Sequence, residues 1–232
     1  MIIGGLQKTT LIDYPGRVAA TVFLVGCNFR CPFCYSSELV LPEKIKEHPS
    51  ISKEEVLDFL KEKAGLLEGV VICGGEPTIQ LDLPDFMREI KDLGYFIKLD
   101  TNGSNPEMLE SLIKEGLIDY VAMDVKAPKA KYADTVKGNI SADVIEKSIN
   151  ILKNSKIDYE LRTTVVPGVH TKEDILAIVD WIKPAKKYFM QNFRGEKTID
   201  SSFENVKPYP DSFLNEIKDE IASNFQECGI RG

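Results

Sequence analysis

The chain has 232 residues, 43% of them hydrophobic and 28% charged, with a formal net charge of −7. That supplies a sizeable core for one large domain or two small ones, while the acidic balance argues against broad nucleic-acid binding, which depends on grouped Lys and Arg. No apolar run approaches the roughly 20 residues of a membrane span, Met1-Ile2-Ile3-Gly4-Gly5 shows no secretory signal, and five cysteines, three of them clustered, argue for a reducing cytoplasmic setting rather than a disulfide framework.

In chain order, Gly4 to Gly16 reads as an irregular lead-in ending in the turn Asp13-Tyr14-Pro15-Gly16. Arg17 to Val25 is β-prone, with Val18, Val22, Phe23, Leu24 and Val25 suited to a buried strand. It stops at Gly26 and delivers Cys27. Cys27, Cys31 and Cys34 fit on one short loop and can turn their sulfurs towards a single point. Thiolates are soft ligands that select iron–sulfur clusters, zinc or copper(I). A closed structural zinc site takes four protein ligands, and Tyr35 and Ser36 do not complete one. A cubane cluster on three cysteines keeps one iron for an outside ligand. On the triplet alone, a zinc knuckle and three unrelated core cysteines stay open as readings.

After a polar, proline-bearing connector, Ser52 opens a capping box with Glu55, and Val56, Phe59 and Leu60 form a helical stripe. Gly69 to Cys73 is the second strand and runs into Gly74-Gly75-Glu76-Pro77. Glycines let a backbone approach a ligand closely, and Glu76 offers an acceptor for an ammonium group; an ordinary strand-to-helix turn is the other reading. Cys73 reads as a small core residue. Leu83 to Leu93 is a helix stopped by Gly94, and Tyr95 to Leu99 a third strand ending in Asp100-Thr101-Asn102-Gly103. Pro106 to Glu115 is helical, with Gly116 at its stop. Tyr120 to Met123 is a fourth strand ending in Asp124-Val125-Lys126, where alternation places Asp124 and Lys126 on one side. Both also read as exposed loop charges. Lys126 to Lys137 reads as a solvated loop.

Ser141 caps a helix to about Lys153. Tyr159 to Val166 is a fifth strand, broken by Pro167-Gly168, and its Arg162 suits either a ligand contact or an interior ion pair. His170, just beyond, reads as a surface-loop residue, and His48 has no evident partner. Thr171 caps a helix to Trp181, Lys187 to Asn192 is a sixth strand with Gln191 at its end, and a final amphipathic helix spans about 212–225. Six strands alternating with helices indicate βα units and a parallel sheet. Polar motifs recur just past strand C-terminal ends, where barrel enzymes place their chemistry. An open doubly wound sheet satisfies the same pattern.

The Cys-x3-Cys-x2-Cys triplet with Phe33 before its third cysteine, followed about 40 residues later by Gly74-Gly75-Glu76-Pro77, resembles the radical S-adenosylmethionine (radical SAM) family. The resemblance covers nearly the whole chain and implies one domain over 1–232, a partial (β/α)6 TIM-like barrel with its cluster loop at 26–35. It implies a [4Fe–4S] cluster on Cys27, Cys31 and Cys34 with Phe33 beside it, SAM on the fourth iron, and SAM contacts from Gly74, Gly75, Glu76 and Pro77. The Asp100-Thr101-Asn102-Gly103, Asp124-Val125-Lys126 and Leu161-to-Gly168 segments are similar to those of activating enzymes for glycyl radical enzymes. That narrower resemblance implies that Lys126 pairs with the SAM carboxylate, and that Asp100 and Asp124 help form a monovalent-cation site beside it. Thr101 and Asn102 belong to the same binding segment. Arg162 would meet SAM or its ribose, and Gln191 would stand where some relatives use a histidine for the adenosine. With Asp13-Tyr14-Pro15-Gly16, the set most resembles activating proteins of anaerobic ribonucleoside-triphosphate reductases. The implied activity is hydrogen abstraction from a glycine of a partner glycyl radical enzyme, an anaerobic ribonucleotide reductase. The implied electron donor is flavodoxin- or ferredoxin-like, and neither nucleic acid nor membrane is a partner. Tyr35-Ser36 departs from the His-Asn that many relatives carry. A radical SAM enzyme acting on a small molecule or modified nucleoside is the alternative.

Overall fold

The computed structural model describes residues 1–231. Among these, eight strands are ordered along the sheet as they are along the chain: β1 Ile3–Thr10, β2 Ala19–Leu24, β3 Gly69–Gly74, β4 Phe96–Thr101, β5 Tyr120–Asp124, β6 Asp158–Val165, β7 Ala185–Asn192 and β8 Phe225–Arg231. β2 to β7 are the six strands expected from the sequence, alternating with helices. The chain divides into two compact units, one formed by Met1–Asn28, Glu38–Thr101 and Glu107–Val121, the other by Phe29–Ser37, Asn102–Pro106 and Ala122–Gly232. No helix among the described residues is long and apolar enough to cross a membrane.

In the first unit β2, β3 and β4 pair in parallel, Val22 opposite Ile72 and Ile72 opposite Leu99. Val70, Val71 and Ile72 are buried in succession. A strand alternates its side chains between two faces, so both faces of β3 are covered, as parallel sheets require. Helix Lys53–Glu62 carries the expected Ser52–Glu55 capping box and buries Val56, Leu57 and Leu60. Helix Leu83–Asp92 buries Leu83, Phe86, Met87 and Ile90. Tyr14, Ala19, Val71 and Tyr120 form a further cluster, and Cys73, partly buried, packs against it. Burying one side chain of Leu or Phe size stabilises by roughly 1.5–3 kcal/mol, so Tyr14 anchors the Asp13-Tyr14-Pro15-Gly16 turn.

The lead-in is not irregular. Residues 3–10 form β1, an antiparallel edge strand on β2, with register shifts after Ile3 and Gln7. Gly4-Gly5 and the exposed Gln7-Lys8-Thr9 conceal it, because an edge strand with an open face needs backbone pairing more than apolar alternation. His48 does have a partner, Gly4 O at 2.8 Å from its Nε2.

In the second unit β6, β7 and β8 pair in parallel, with Arg162 opposite Phe189 and Gln191 opposite Arg231. Helices Ala142–Asn154, Lys172–Ile182 and Asp211–Ile221 bury Ile145, Ile149, Ile178, Ile182, Leu214 and Ile217. The last helix stops at Ile221, short of the expected boundary, and Phe225 begins β8 instead. Phe225-Gln226-Glu227-Cys228 has no apolar alternation; β7 supplies its pairing, and Tyr188 stacks on Phe225 with ring centroids 5.1 Å apart. The lysine-rich segment is also no solvated loop. It turns into a short helix, Tyr132–Val136, that buries Tyr132 and Val136. His170 is buried rather than exposed.

Candidate active site

In the first unit, β3 runs out through Gly74 (φ +117°) into Gly75. A Cβ on Gly74 would stand 2.2 Å from Leu24 O, and one on Gly75 would stand 1.9 Å from Gly26 O. The glycines therefore serve packing, bringing this turn against the end of β2. Gly75 N–H donates to Leu24 O at 2.8 Å and Glu76 N–H to Gly26 O at 2.7 Å. These bonds fix the backbone one residue before Cys27. Glu76 is fully buried. Its Oε1 accepts from Thr78 N–H (3.0 Å), Thr78 Oγ1 (2.5 Å) and Thr101 Oγ1 (2.7 Å), with Pro77 opening the short turn between. Donors of this kind hold a carboxylate as a fixed anionic pole. Asp100 and Thr101 lie inside β4, not after it, and Asp100 pairs with Lys98, whose side chain is 2% exposed. Lys98 escaped the sequence reading, although a lysine amid Ile97 and Leu99 was a signal.

In the second unit, Asp124 sits between two cations. Lys126 Nζ is 2.9 Å from its Oδ2 and Arg162 Nε 3.0 Å from its Oδ1. Burial alone would raise the Asp124 pKa, but Arg162 and then Lys126 outweigh it and bring it from 3.8 down to about 2. Burial would likewise depress Lys126; Asp124, then Cys31 and Cys34, hold it above the ordinary lysine range instead. Of the two readings of Arg162, the structure shows the interior ion pair. His170 fixes the same backbone. Its Nδ1 accepts from Val166 N–H at 3.0 Å, so Nε2 carries the proton and donates to Lys126 O at 2.8 Å. Burial lowers the His170 pKa, in keeping with this neutral tautomer.

Phe33 is buried, edge-on to the His170 and Phe203 rings at 6.2 and 6.4 Å. Asn102 closes a local turn, its Oδ1 accepting from Ser104 N–H at 2.9 Å. Gln191 lies near the end of β7. Tyr35, at the departure from the common His-Asn, stacks on Phe193 at 5.7 Å and accepts from Arg194 N–H at 2.6 Å. Nothing local in the sequence pointed to Tyr35 or His170 in these roles.

Cys27 belongs to the first unit, Cys31 and Cys34 to the second. Cys34 N–H donates to Cys31 O at 3.0 Å, and Ile199 and Asp200 N–H groups donate to Cys34 O and Pro32 O at 3.0 and 2.9 Å. None of the five cysteines is in a disulfide; Cys31 is buried, and Cys27 and Cys34 are half-buried. Among the described residues no group of three or more His, Cys, Asp or Glu is assembled as a metal cage. The donor chemistry nonetheless fits an iron–sulfur cluster, with soft thiols on one short stretch and a lysine whose charge interacts with two of them.

Comparison with known proteins agrees. The model of the radical SAM superfamily matches residues 21–182. A Methanocaldococcus jannaschii protein provisionally named a glycyl-radical enzyme activating enzyme is 37% identical over 93% of this chain and 90% of its own. The pyruvate formate-lyase-activating enzyme of Streptococcus mutans is 25% identical over 94% and 89%. The 7-carboxy-7-deazaguanine synthase of Thermococcus kodakarensis is 29% identical over 60% of each. Among solved structures, Streptococcus suis SuiB superposes with a TM-score of 0.63 at 14% identity, over 91% of this chain. The chain spans about half the length of SuiB, so that likeness concerns the fold, the α/β partial-barrel class expected from sequence.

Proposed function

This chain belongs to the radical SAM superfamily, whose members carry a [4Fe–4S] cluster and SAM, and on that premise we propose that it is an activase for a glycyl radical enzyme. The observation that carries this is the 37% identity, across almost its full length, to a protein provisionally named as such an activator. Cys27, Cys31 and Cys34 would hold the cluster, leaving one iron for SAM. When bound, cluster and SAM supply one-electron cleavage of SAM to methionine and a 5′-deoxyadenosyl radical, which takes a hydrogen atom from a partner's glycine Cα and leaves the radical there.

This chain's own residues bind and orient. Lys126 offers its ammonium to the SAM carboxylate, and Asp124, Arg162 and the His170 bond hold it in place. Glu76, fixed by Thr78 and Thr101, faces the methionine ammonium, and Gly74, Gly75 and Pro77 shape that turn. Phe33 anchors its own stretch of the cluster loop against His170 and Phe203, Asn102 belongs to the SAM-binding segment after Thr101, and Gln191 stands on the adenosine side. The resemblance also brings a monovalent cation beside Asp100 and Asp124. Here Lys98 already gives Asp100 an ammonium, and Lys126 and Arg162 do so for Asp124, so an added cation would compete with side chains. The electron donor is of flavodoxin or ferredoxin type, and the partner is an anaerobic ribonucleotide reductase.

The test is to incubate the reduced, reconstituted protein with SAM and that reductase. A stable doublet in electron paramagnetic resonance, with oxygen-dependent cleavage of the partner's chain at one glycine, is expected. A second reading, action on a small molecule, is favoured by the similarity to a 7-carboxy-7-deazaguanine synthase. It takes over if no glycyl radical enzyme gives the doublet while a metabolite is converted in step with SAM cleavage.

A further inference from the structure

Asp124 and Arg162 do not end the charge arrangement in the second unit. Arg162 Nη1 lies 3.9 Å from Oε1 of Glu160, two residues earlier on β6. Glu160 is fully buried, and Arg231, at the end of β8, grips both its oxygens, Nη1 to Oε1 at 2.5 Å and Nη2 to Oε2 at 2.8 Å. β7 lies between β6 and β8, and the guanidinium crosses it over the Phe189 ring, 3.7 Å from the centroid. Gly229 makes room for that ring; a Cβ there would stand 3.0 Å from it. Lys126, Asp124, Arg162, Glu160 and Arg231 thus form one ladder of alternating charge across β5, β6 and β8.

We infer that Arg231 is a positioning residue for SAM, acting through Glu160, Arg162 and Asp124 on the ammonium of Lys126. The inference rests on the reading of Lys126 as the partner of the SAM carboxylate. Arg231 adds a positive charge to the ladder, the sign needed to receive a carboxylate. Without Arg231 that charge and the bidentate grip on Glu160 are lost. The buried Glu160 then draws Arg162, already within 3.9 Å, off Asp124. Asp124 turns its undivided charge on Lys126 and withholds that ammonium from the ligand. The bidentate grip on Glu160 keeps Arg162, and hence Lys126, where a ligand can use them. An arginine fork suits this task, since it fixes a carboxylate in two places at once.

The test measures SAM affinity by calorimetry on anaerobically reconstituted protein, with iron content as a control. Arg231→Met should weaken SAM binding roughly tenfold, the size of one charge-assisted hydrogen bond, with iron content unchanged. Arg231→Lys should recover part of the loss. The double variant Glu160→Gln/Arg231→Met removes the charge that pulls Arg162 away, so it should regain most of the affinity, although it restores no packing. A purely structural Arg231 would leave the double variant no better than the single one, and that result overturns the inference. So does wild-type affinity in Arg231→Met. Lys126→Ala is run alongside: if it binds SAM as tightly as wild type, the reading of Lys126 has failed, and the ladder with it. If Lys126→Ala weakens binding while Arg231→Met does not, only the ladder has failed.

Discussion

Asp124→Asn removes the charge that Lys126 and Arg162 share while keeping the shape of the side chain, and we predict a pH-dependent loss of stability. The native Asp124 pKa stands at about 2 against an ordinary 3.8, and at 1.36 kcal/mol per unit the displacement corresponds to about 2 kcal/mol. Because the folded pKa is depressed, this stabilisation is fully present above pH 3.8 and is lost as pH falls through about 2. The asparagine variant should therefore be about 2 kcal/mol less stable than wild type near neutrality, with the difference shrinking by about half at pH 3. Urea unfolding of the cluster-free protein, wild type beside variant, measures it over pH 3–7. A difference that stays constant over that range, or a variant as stable as wild type at pH 7, would refute the claim that the two cations act on Asp124 through its charge.

The remaining predictions concern the site. Lys126→Ala should weaken SAM affinity about tenfold or more, the value of a charge-assisted bond, with iron content retained; unaltered affinity in calorimetry removes its role. Alanine at Cys27, Cys31 or Cys34 should abolish iron uptake on reconstitution, whereas Cys73→Ala and Cys228→Ala should keep it, and equal loss at either of the last two would overturn the ligand set. Gly75→Ala should prevent stable folding, since its Cβ would meet Gly26 O at 1.9 Å, while Gly94→Ala, with nothing within 4 Å, should cost only about 1 kcal/mol for its left-handed backbone. Melting temperatures compare the two, and similar values would contradict the packing role.

What the sequence determined by itself was local. The run Val70-Val71-Ile72, the Ser52–Glu55 and Thr171 caps and the glycine stops each state their element in a few residues, because strand alternation and helix capping are short-range rules. The cysteine spacing and Gly74-Gly75-Glu76-Pro77 likewise carried the family resemblance, since each motif is continuous in the chain. Tertiary structure decided whatever depends on a neighbour brought from far along the chain. β1 and β8 exist because β2 and β7 present open edges, which Gln7-Lys8-Thr9 and Gln226-Glu227 do not announce. The glycines after β3 answer to Leu24 and Gly26, about 50 residues earlier. His170, Lys98 and Arg231 are unremarkable letters in the sequence. His170 and Lys98 acquire roles where folding buries them, and Arg231 where it meets the buried Glu160, since a buried charge or imidazole is tolerated only against a partner that satisfies it, and that partner is chosen by the register of the sheet.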